Sequence, residues 1–384
     1  MRIRLLALLL FFSCCSLAQT SFRVMSYNVE NLFDCDDDSL TFDEDFTPEG
    51  AYHWTPNKLK QKIAKIAKVI TIIGQWEPPA LVGLCEVENE NVIKKLVYQS
   101  PLKEQHYSYV HFESPDKRGI DVALLYQRKS FEPLEKQNIP IHYPENKNLT
   151  TRDILYVKGV VLNKDTLHVF VCHFPSRLGG ELESEDNRKW VASVLRQHVD
   201  SVLAERKKAN ILIMGDFNDY PDNESLLNVL KAKGIKESKD SADLYNLYYE
   251  LNSQPDVGTH KNQGEWGVLD QMIISKNLLQ PSSILFTSQE NVHIFDADFL
   301  LQDDEHFLGK KPFRTFLGMK YMGGFSDHLP IYVDFFLQEK DKELFDFFKY
   351  AEMNVAVRSR FFKVFVVRKV ILLAMFQNKQ SIWF

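Results

Sequence analysis

The sequence predicts an α/β domain whose sheet is not wholly parallel. Short apolar strands alternate with amphipathic helices, one helix has a clear start and stop, and two strands flank a short polar turn. In order, the strands are Arg23 to Val29, Ala80 to Glu86, Ile120 to Tyr126, Val157 to Leu162, Leu167 to His173, Ile211 to Gly215, Leu269 to Ile274 and Pro330 to Phe336. Asn163-Lys164-Asp165 reads as the turn of an antiparallel hairpin. One helix starts at Thr55-Pro56, a capping residue followed by proline at the first helical position. Leu59, Ile63, Ile66, Ile70 and Ile73 mark its buried face, and Gly74 ends it. A second helix runs from Asp186 to Arg206 and turns Trp190, Val194 and Val202 toward the core. Neither an internal repeat nor a Pro/Gly/Ser linker divides the chain.

The two ends differ from this body. Arg2 and Arg4, the apolar run Leu5 to Phe12, and Ser16-Leu17-Ala18 form a secretory signal peptide, with cleavage expected before Gln19. A lipoprotein signal ending at Cys14 or Cys15 is the alternative. The expected location is therefore periplasmic or extracellular. Removal of residues 1–18 leaves Cys35, Cys85 and Cys172, an odd set without the spacing of a disulfide framework or a zinc site. Residues 19–340 form the expected catalytic domain. Residues 341–384 form an extension in which Arg358, Arg360, Lys363, Arg368, Lys369 and Lys379 interrupt apolar residues. Charges at its centre argue against a membrane span; an amphipathic segment on a membrane surface and a non-native or disordered extension both stay open.

The net charge of −6 excludes a protein that holds nucleic acid by bulk electrostatics. A polyanionic substrate then needs local cations, either a metal ion or a few arginines. Candidate chemistry lies at strand ends, where loops emerge. Apolar runs end in Asn28, in Glu86, in His173, in Asp216 with Asn218 two residues on, in Asp270, and in the pair Asp327-His328. A single acid there is an ordinary turn former or cap, and a single histidine is ordinarily structural. As a set they supply hard oxygen ligands for Mg2+, Mn2+ or Ca2+. Two histidines beside carboxylates add acid and base groups near neutral pH. That inventory suits metal-assisted hydrolysis.

These segments resemble the endonuclease/exonuclease/phosphatase family, whose fold is that of deoxyribonuclease I and the AP endonucleases. The resemblance rests on Ser26-Tyr27-Asn28-Val29, Leu84-Cys85-Glu86, Gly119-Ile120-Asp121-Val122-Ala123, Val171-Cys172-His173-Phe174, Gly215-Asp216-Phe217-Asn218, Leu269-Asp270-Gln271 and Ser326-Asp327-His328. They follow the family's order from residue 22 to 338. His173-Phe174-Pro175-Ser176-Arg177, Gly258-Thr259 ahead of Trp266, and Tyr321 to His328 resemble a secreted bacterial-type branch. The resemblance implies a four-layer α/β/β/α sandwich: two mostly antiparallel mixed sheets face to face, helices outside, and the site at one edge.

It also implies roles. Glu86 is the first metal ligand, with Asn28 and Asp327 nearby. Asp216 orients or deprotonates the attacking water, and Asn218 fixes the substrate phosphate. His173 and His328 donate to phosphoryl oxygens or the leaving group, and Asp270 holds the tautomer of His328. By position alone, Asp121 is expected to pair with His173 in the same way. Arg152 and Arg177 are candidate phosphate contacts, each with the alternative of a surface ion pair; Lys117 and Arg118 share that ambiguity. Of the remaining histidines, His260 stands out because its loop, with Trp266, could cover the site. His53, His106, His111, His142, His168, His198, His293 and His306 read as surface or packing residues.

The expected activity is hydrolysis of nucleic-acid phosphodiesters with Mg2+, or else Mn2+ or Ca2+, by a monomer without a stable protein partner. A phosphomonoesterase or lipid phosphodiesterase on the same fold, acting on inositol phosphates or sphingomyelin, is the alternative. The inositol branch is opposed by the absence of an Asn-Tyr-Arg continuation in the Gly215 to Asn218 segment and of a Trp-Cys-Asp-Arg segment. A non-catalytic surface module is opposed by the completeness of the polar set.

Overall fold

The structure is a computed structural model and describes residues 21–338 apart from Lys147, Asn163, Leu178 and residues 237–243. The expected signal peptide, its lipidated alternative and the C-terminal extension lie outside the described residues, as does Asn163 of the hairpin turn.

The chain begins one sheet with β1 (Ser21–Leu32), β2 (Leu81–Val87), β3 (Tyr107–His111) and β4 (Asp121–Gln127). A second sheet follows with β5 (Phe131–Ile139), β6 (Ile154–Val161), β7 (Asp165–His173), β8 (Asn210–Asp216), β9 (Ala232–Lys233) and β10 (Leu244–Asn246). A small hairpin, β11 (His260–Asn262) and β12 (Glu265–Gly267), precedes β13 (Asp270–Ser275) of the second sheet. Then β14 (Leu285–Phe286) and β15 (Val292–Ile294) return to the first sheet. Two more hairpins, β16 (Leu301–Asp303) with β17 (Lys310–Pro312) and β18 (Phe316–Leu317) with β19 (Lys320–Tyr321), lead to β20 (Ile331–Leu337). The first sheet has the order β14-β20-β1-β2-β4-β3, with β15 also on β20; the second has the order β5-β6-β7-β8-β13-β10-β9. Pairing is parallel for β1 with β2, β7 with β8 and β9 with β10, and antiparallel elsewhere. The expected hairpin is present as β6 and β7.

Strand alternation sorts the side chains into layers. Val24, Leu81, Cys85 and Leu124 of the first sheet meet Val169, Val171, Leu212 and Met214 of the second in a shared core. A Cβ on Gly83 would lie 3.0 Å from the Sδ and Cε of Met214, so the end of that methionine fills the space beside this glycine between β2 and β8. On the outer face of the first sheet, Met25, Tyr27, Val82 and Leu84 pack on α1 (Pro56–Gly74) and α2 (Glu90–Gln99). On the outer face of the second, Phe170, Ile211 and Ile213 pack on Val191, Leu195 and Val199 of α3 (Glu181–Glu205). Each such buried aliphatic side chain stabilises the fold by about 1.5–3 kcal/mol. The result is the expected four-layer α/β/β/α sandwich.

The helix starting at Pro56 has its expected bounds, with Thr55 Oγ1 accepting the N–H of Lys58 at 3.4 Å. The later helix starts at Glu181, five residues before the expected Asp186. Gly180 makes no side-chain cap there, so the sequence carries no local start signal. Its buried stripe passes through Arg188, Val191, Leu195 and Val199, leaving Trp190 and Val194 half-buried at its margin. Arg188 escapes an apolar-periodicity reading because it is buried as an ion pair with Asp219 at 2.6 Å. Among the described residues, no helix is long and apolar enough to cross a membrane.

Candidate active site

Two strand–helix–parallel strand units, β1-α1-β2 and β7-α3-β8, place the carboxyl ends of four strands together. Asn28 ends the regular part of β1 on the face that looks toward the second sheet, in the row of Val24 and Ser26. Beyond it the pairing of β1 with β2 slips, and Glu30 and Asn31 take φ of 53° and 55°. Simple alternation would send Glu86 to the outer face with Leu84. Instead it sits in a bulge of β2 with φ 64°, which turns it to the edge between the sheets. There Oε2 accepts the N–H of Asn31 at 2.9 Å, and Oε1 accepts Asn28 Nδ2 at 3.4 Å.

In the second sheet His173, Asp216 and Asp270 are direct neighbours on β7, β8 and β13. They continue the inward-facing rows of Val171, Met214 and Met272. Gly215 has φ 145°, and a Cβ there would collide with the carbonyl oxygen of Cys172, so the residue before Asp216 must be glycine. Asp216 Oδ2 is the hub. Asn28 Nδ2 donates to it at 3.0 Å, His173 Nε2 lies 3.6 Å away and His328 Nε2 lies 3.8 Å away. His173 Nε2 is also 3.9 Å from Glu86 Oε1. Asn218 donates its backbone N–H to Asp216 Oδ1 at 2.8 Å and its amide to the Phe174 carbonyl at 3.0 Å. His328 Nδ1 is 2.7 Å from Asp270 Oδ2, the pairing expected for them.

Burial and charge set the protonation states. Burial acts to lower the His328 pKa, but Asp270 and Asp216 outweigh it and hold the imidazole well above its ordinary value. His173 is driven well below the ordinary value, first by burial and then by the Arg152 and Arg118 charges. Its Nδ1 is buried without a hydrogen-bond partner among the described residues. The two imidazoles are thus pushed in opposite directions, His328 toward its cationic form and His173 toward its neutral form. Burial pushes the Asp216 carboxyl up to about 7, against the opposing pull of His328.

Other expected site residues lie elsewhere. Asp121 does not meet His173. On β4, Val122 and Leu124 face the shared core, so Asp121 falls on the outer face by alternation. Its partners are His111 Nε2 at 3.2 Å and the backbone N–H of Ser114 at 3.0 Å. Arg152 is buried, donating to Asp116 at 3.1 Å and to the Phe174 carbonyl at 2.6 Å, so it acts on the cluster through charge and packing. Arg177 is engaged by the Asn218 carbonyl, Asn223 and Glu181, and stacks on Tyr220. It buttresses the Asn218 turn. Asp327 accepts Arg314 Nη2 at 2.8 Å, and its carboxyl is lowered because His328 and Arg314 overcome the burial that acts to raise it.

The profile of the Endonuclease/Exonuclease/phosphatase family matches residues 23–337. This chain belongs to that family. No curated protein matches its sequence. Among solved structures, humanized D. rerio TDP2 superposes with a TM-score of 0.51 at 15% identity, covering 82% of this chain and 98% of that one. A functionally unknown conserved protein from Enterococcus faecalis V583 gives 0.50 at 14% identity, covering 82% and 100%. At these identities the likeness is one of fold. The family makes the chain a phosphoester hydrolase.

On this family fold the hairpin of β11 and β12 adds a residue that the sequence did not assign to the cluster. Lys261 pairs with Trp266 and His260 with Gly267, so alternation puts His260 and Trp266 on opposite faces. His260 bridges to His328 through the backbone, and the two rings are 4.8 Å apart. Burial, then the charge of His328, lowers the His260 pKa to about 4. Trp266 instead lines a cleft of about 370 Å³ with Asp256, Ile294, Leu301 and Lys310, and none of Glu86, Asp216, Asp270 and Asp327 lines it. That cleft is not where the titratable groups converge, and it is the convergence of those groups that marks the chemistry. Groups of residues able to hold a metal ion are His260 with Asp327 and His328, and His111 with Glu113 and Asp121. Glu30 and Lys62, buried behind the cluster, also went unread, because buried charges leave no periodic signal.

Proposed function

We propose that this chain is an exported, divalent-metal-dependent phosphodiesterase whose substrates are nucleic-acid phosphodiesters. The observation that carries the reading is the hub at Asp216, with two imidazoles 3.6 and 3.8 Å from one carboxylate oxygen and the Glu86–Asn28 pair beside it.

The donor set suits a hard divalent cation. Glu30, Glu86, Asp216, Asp270 and Asp327 approach one edge of the sandwich, and Asp270 Oδ1 is buried without a hydrogen-bond partner among the described residues. Glu86, Asn28 and Asp327 would hold the ion, which supplies charge neutralisation at the phosphoryl oxygens. Asn28 turns Nδ2 toward Glu86 and Asp216, while its Oδ1 accepts the backbone N–H of Glu30 at 3.0 Å.

The remaining work falls to this chain's own groups. Asp216, titrating near neutrality, accepts the proton of the water that attacks phosphorus. The attack forms one P–O bond as the ester P–O bond breaks on the opposite side. His328, kept cationic by Asp270, donates to a phosphoryl oxygen as its charge grows. Neutral His173 donates through Nε2, and Asn218 holds the phosphate from its turn beside Asp216.

Purified protein incubated with supercoiled plasmid and Mg2+, Mn2+ or Ca2+ tests the reading, with bis-p-nitrophenyl phosphate alongside. Nicking that EDTA and His173→Ala both abolish is the expected result. Diester turnover without nicking would move the substrate to nucleotides or lipids, and no turnover of either would reject the nuclease. Export is supported by the character of residues 1–18, and a secreted product beginning at Gln19 is the expected outcome of N-terminal sequencing.

A further inference from the structure

Arg314 lies in the excursion between β15 and β20, a segment to which the sequence attached no chemistry before Tyr321. The excursion is anchored beneath the site by two buried charges. The Glu30 carboxylate accepts the backbone N–H groups of Thr315 at 2.6 Å and Phe316 at 3.4 Å. Lys62, buried on α1, donates to the Phe325 carbonyl at 2.6 Å and to Thr315 Oγ1. Both ends of the excursion's last loop are thus fixed to β1 and α1.

Arg314 points back from this anchored loop. Its Nε faces Glu30 Oε1 at 3.4 Å, and its Nη2 donates to Asp327 Oδ2 at 2.8 Å. Its Nη1 has no hydrogen-bond partner among the described residues, and the side chain is 36% exposed. Arg152 is buried, and Arg177 has partners on every edge. Arg314 therefore has a free edge that they lack.

The backbone on either side of Asp327 is held without Arg314. Ser326 Oγ donates to the Asn28 carbonyl at 2.7 Å, the Leu329 N–H donates to the Thr259 carbonyl at 2.7 Å, and His328 bridges to His260. What Arg314 supplies to Asp327 is charge, at a carboxylate that the proposed function assigns to a divalent cation. A guanidinium and a divalent ion at one carboxylate repel each other, so the two compete for Asp327.

We propose that Arg314 is an internal counter-cation for Asp327 which a divalent ion displaces, and that its freed guanidinium then takes a phosphoryl oxygen of the substrate. Metal and substrate binding thereby reinforce each other, and Arg314 is a counter-charge before the metal binds and a phosphate contact after it. The planar fork suits this second role because it can meet two phosphate oxygens at once. The inference rests on the reading of Asp327 as a metal ligand.

The test is a calorimetric titration of the full chain with Mn2+ in the absence of substrate, for wild type, Arg314→Gln, Arg314→Lys and Glu86→Gln. Melting temperatures are measured alongside, and KM and kcat are measured on bis-p-nitrophenyl phosphate. Arg314→Gln is expected to bind Mn2+ about five- to tenfold more tightly and to raise KM more than it lowers kcat. Arg314→Lys, which keeps the charge without the fork, should return Mn2+ affinity toward wild type while KM stays high. Arg314→Gln that folds normally and binds Mn2+ no more tightly than wild type would overturn the inference, and so would Arg314→Lys behaving like Arg314→Gln in the titration. If Glu86→Gln abolishes Mn2+ binding in that case, the proposed metal site survives and only the role of Arg314 falls. Wild type that binds no Mn2+ would remove both.

Discussion

Replacing Asp270 with Asn tests the electrostatics of the site most directly. The 2.7 Å contact between Asp270 Oδ2 and His328 Nδ1 joins two buried side chains, and Asp270 is the largest of the charges that keep His328 protonated against burial. Asn keeps the shape but removes that charge, and its amide can present a donor to Nδ1 and reverse the tautomer. The imidazole then loses the largest charge that favours its protonated form, together with its orientation. A charge-assisted hydrogen bond to the phosphoryl group is worth about 1.5–3 kcal/mol. With misorientation added, the expected fall in kcat is about a hundred- to ten-thousandfold.

The pH profile carries the sharper signature. With its folded pKa raised, His328 contributes stability that is fully present below the ordinary imidazole pKa of about 6.5 and is lost as pH rises through the raised folded value. Any activity that needs the cation follows the same limb. In Asp270→Asn that limb should move to lower pH, because only Asp216 and Asp327 are left to oppose burial. Rates of bis-p-nitrophenyl phosphate hydrolysis from pH 5 to 9, with saturating metal, measure it. A variant within threefold of wild type, with its alkaline limb unmoved, would refute the reasoning.

Three further outcomes follow from local geometry. Asp121→Asn should leave kcat within about threefold of wild type, because Asp121 binds His111 and Ser114 on the outer face; a loss matching that of His173→Ala would contradict this placement. Gly215→Ala should destabilise the fold by about 3 kcal/mol or more, since its Cβ would strike the Cys172 carbonyl at φ 145°; urea unfolding reads this, and an unchanged midpoint would refute it. Burial, with Asp34 and Asp43 nearby, pushes the Glu88 carboxyl up to about 8. The folded state therefore holds this proton more tightly than the unfolded one, and stability falls as pH rises from the ordinary carboxylate value toward 8. Glu88→Gln removes the ionisation, so its melting temperature relative to wild type should rise between pH 6 and 9; a difference that does not change with pH would count against it.

Most of the candidate set was legible because its signal is local. An apolar run that stops at Asn28, Glu86, His173, Asp216 or Asp270 marks a strand reaching the edge of a sheet, and the order of those stops carried the family resemblance. Helix α1 was equally legible, since Thr55-Pro56 and the Leu59 to Ile73 stripe encode its start and buried face. Helix α3 was less so, because its first turn is held by Gly180 and its stripe includes a buried arginine. Asp121 failed for a simpler reason. Its position along the strand was read correctly, but a period of two decides the face, and the outer face of the first sheet is closed to His173.

The sequence by itself determined eight of the strands, the helices α1 and α3, and which strand ends carry acids, amides and imidazoles. Tertiary structure decided which of those groups meet. The bulge that turns Glu86 inward depends on how β2 pairs with β1 and β4. The fold of the β11–β12 hairpin chooses His260 over Trp266 as the neighbour of His328. Arg314 reaches Asp327 only because Glu30 and Lys62, far away in the chain, hold its loop. These contacts join residues that are distant in sequence, and their geometry comes from sheet pairing and buried charge, neither of which leaves a periodic trace along the chain.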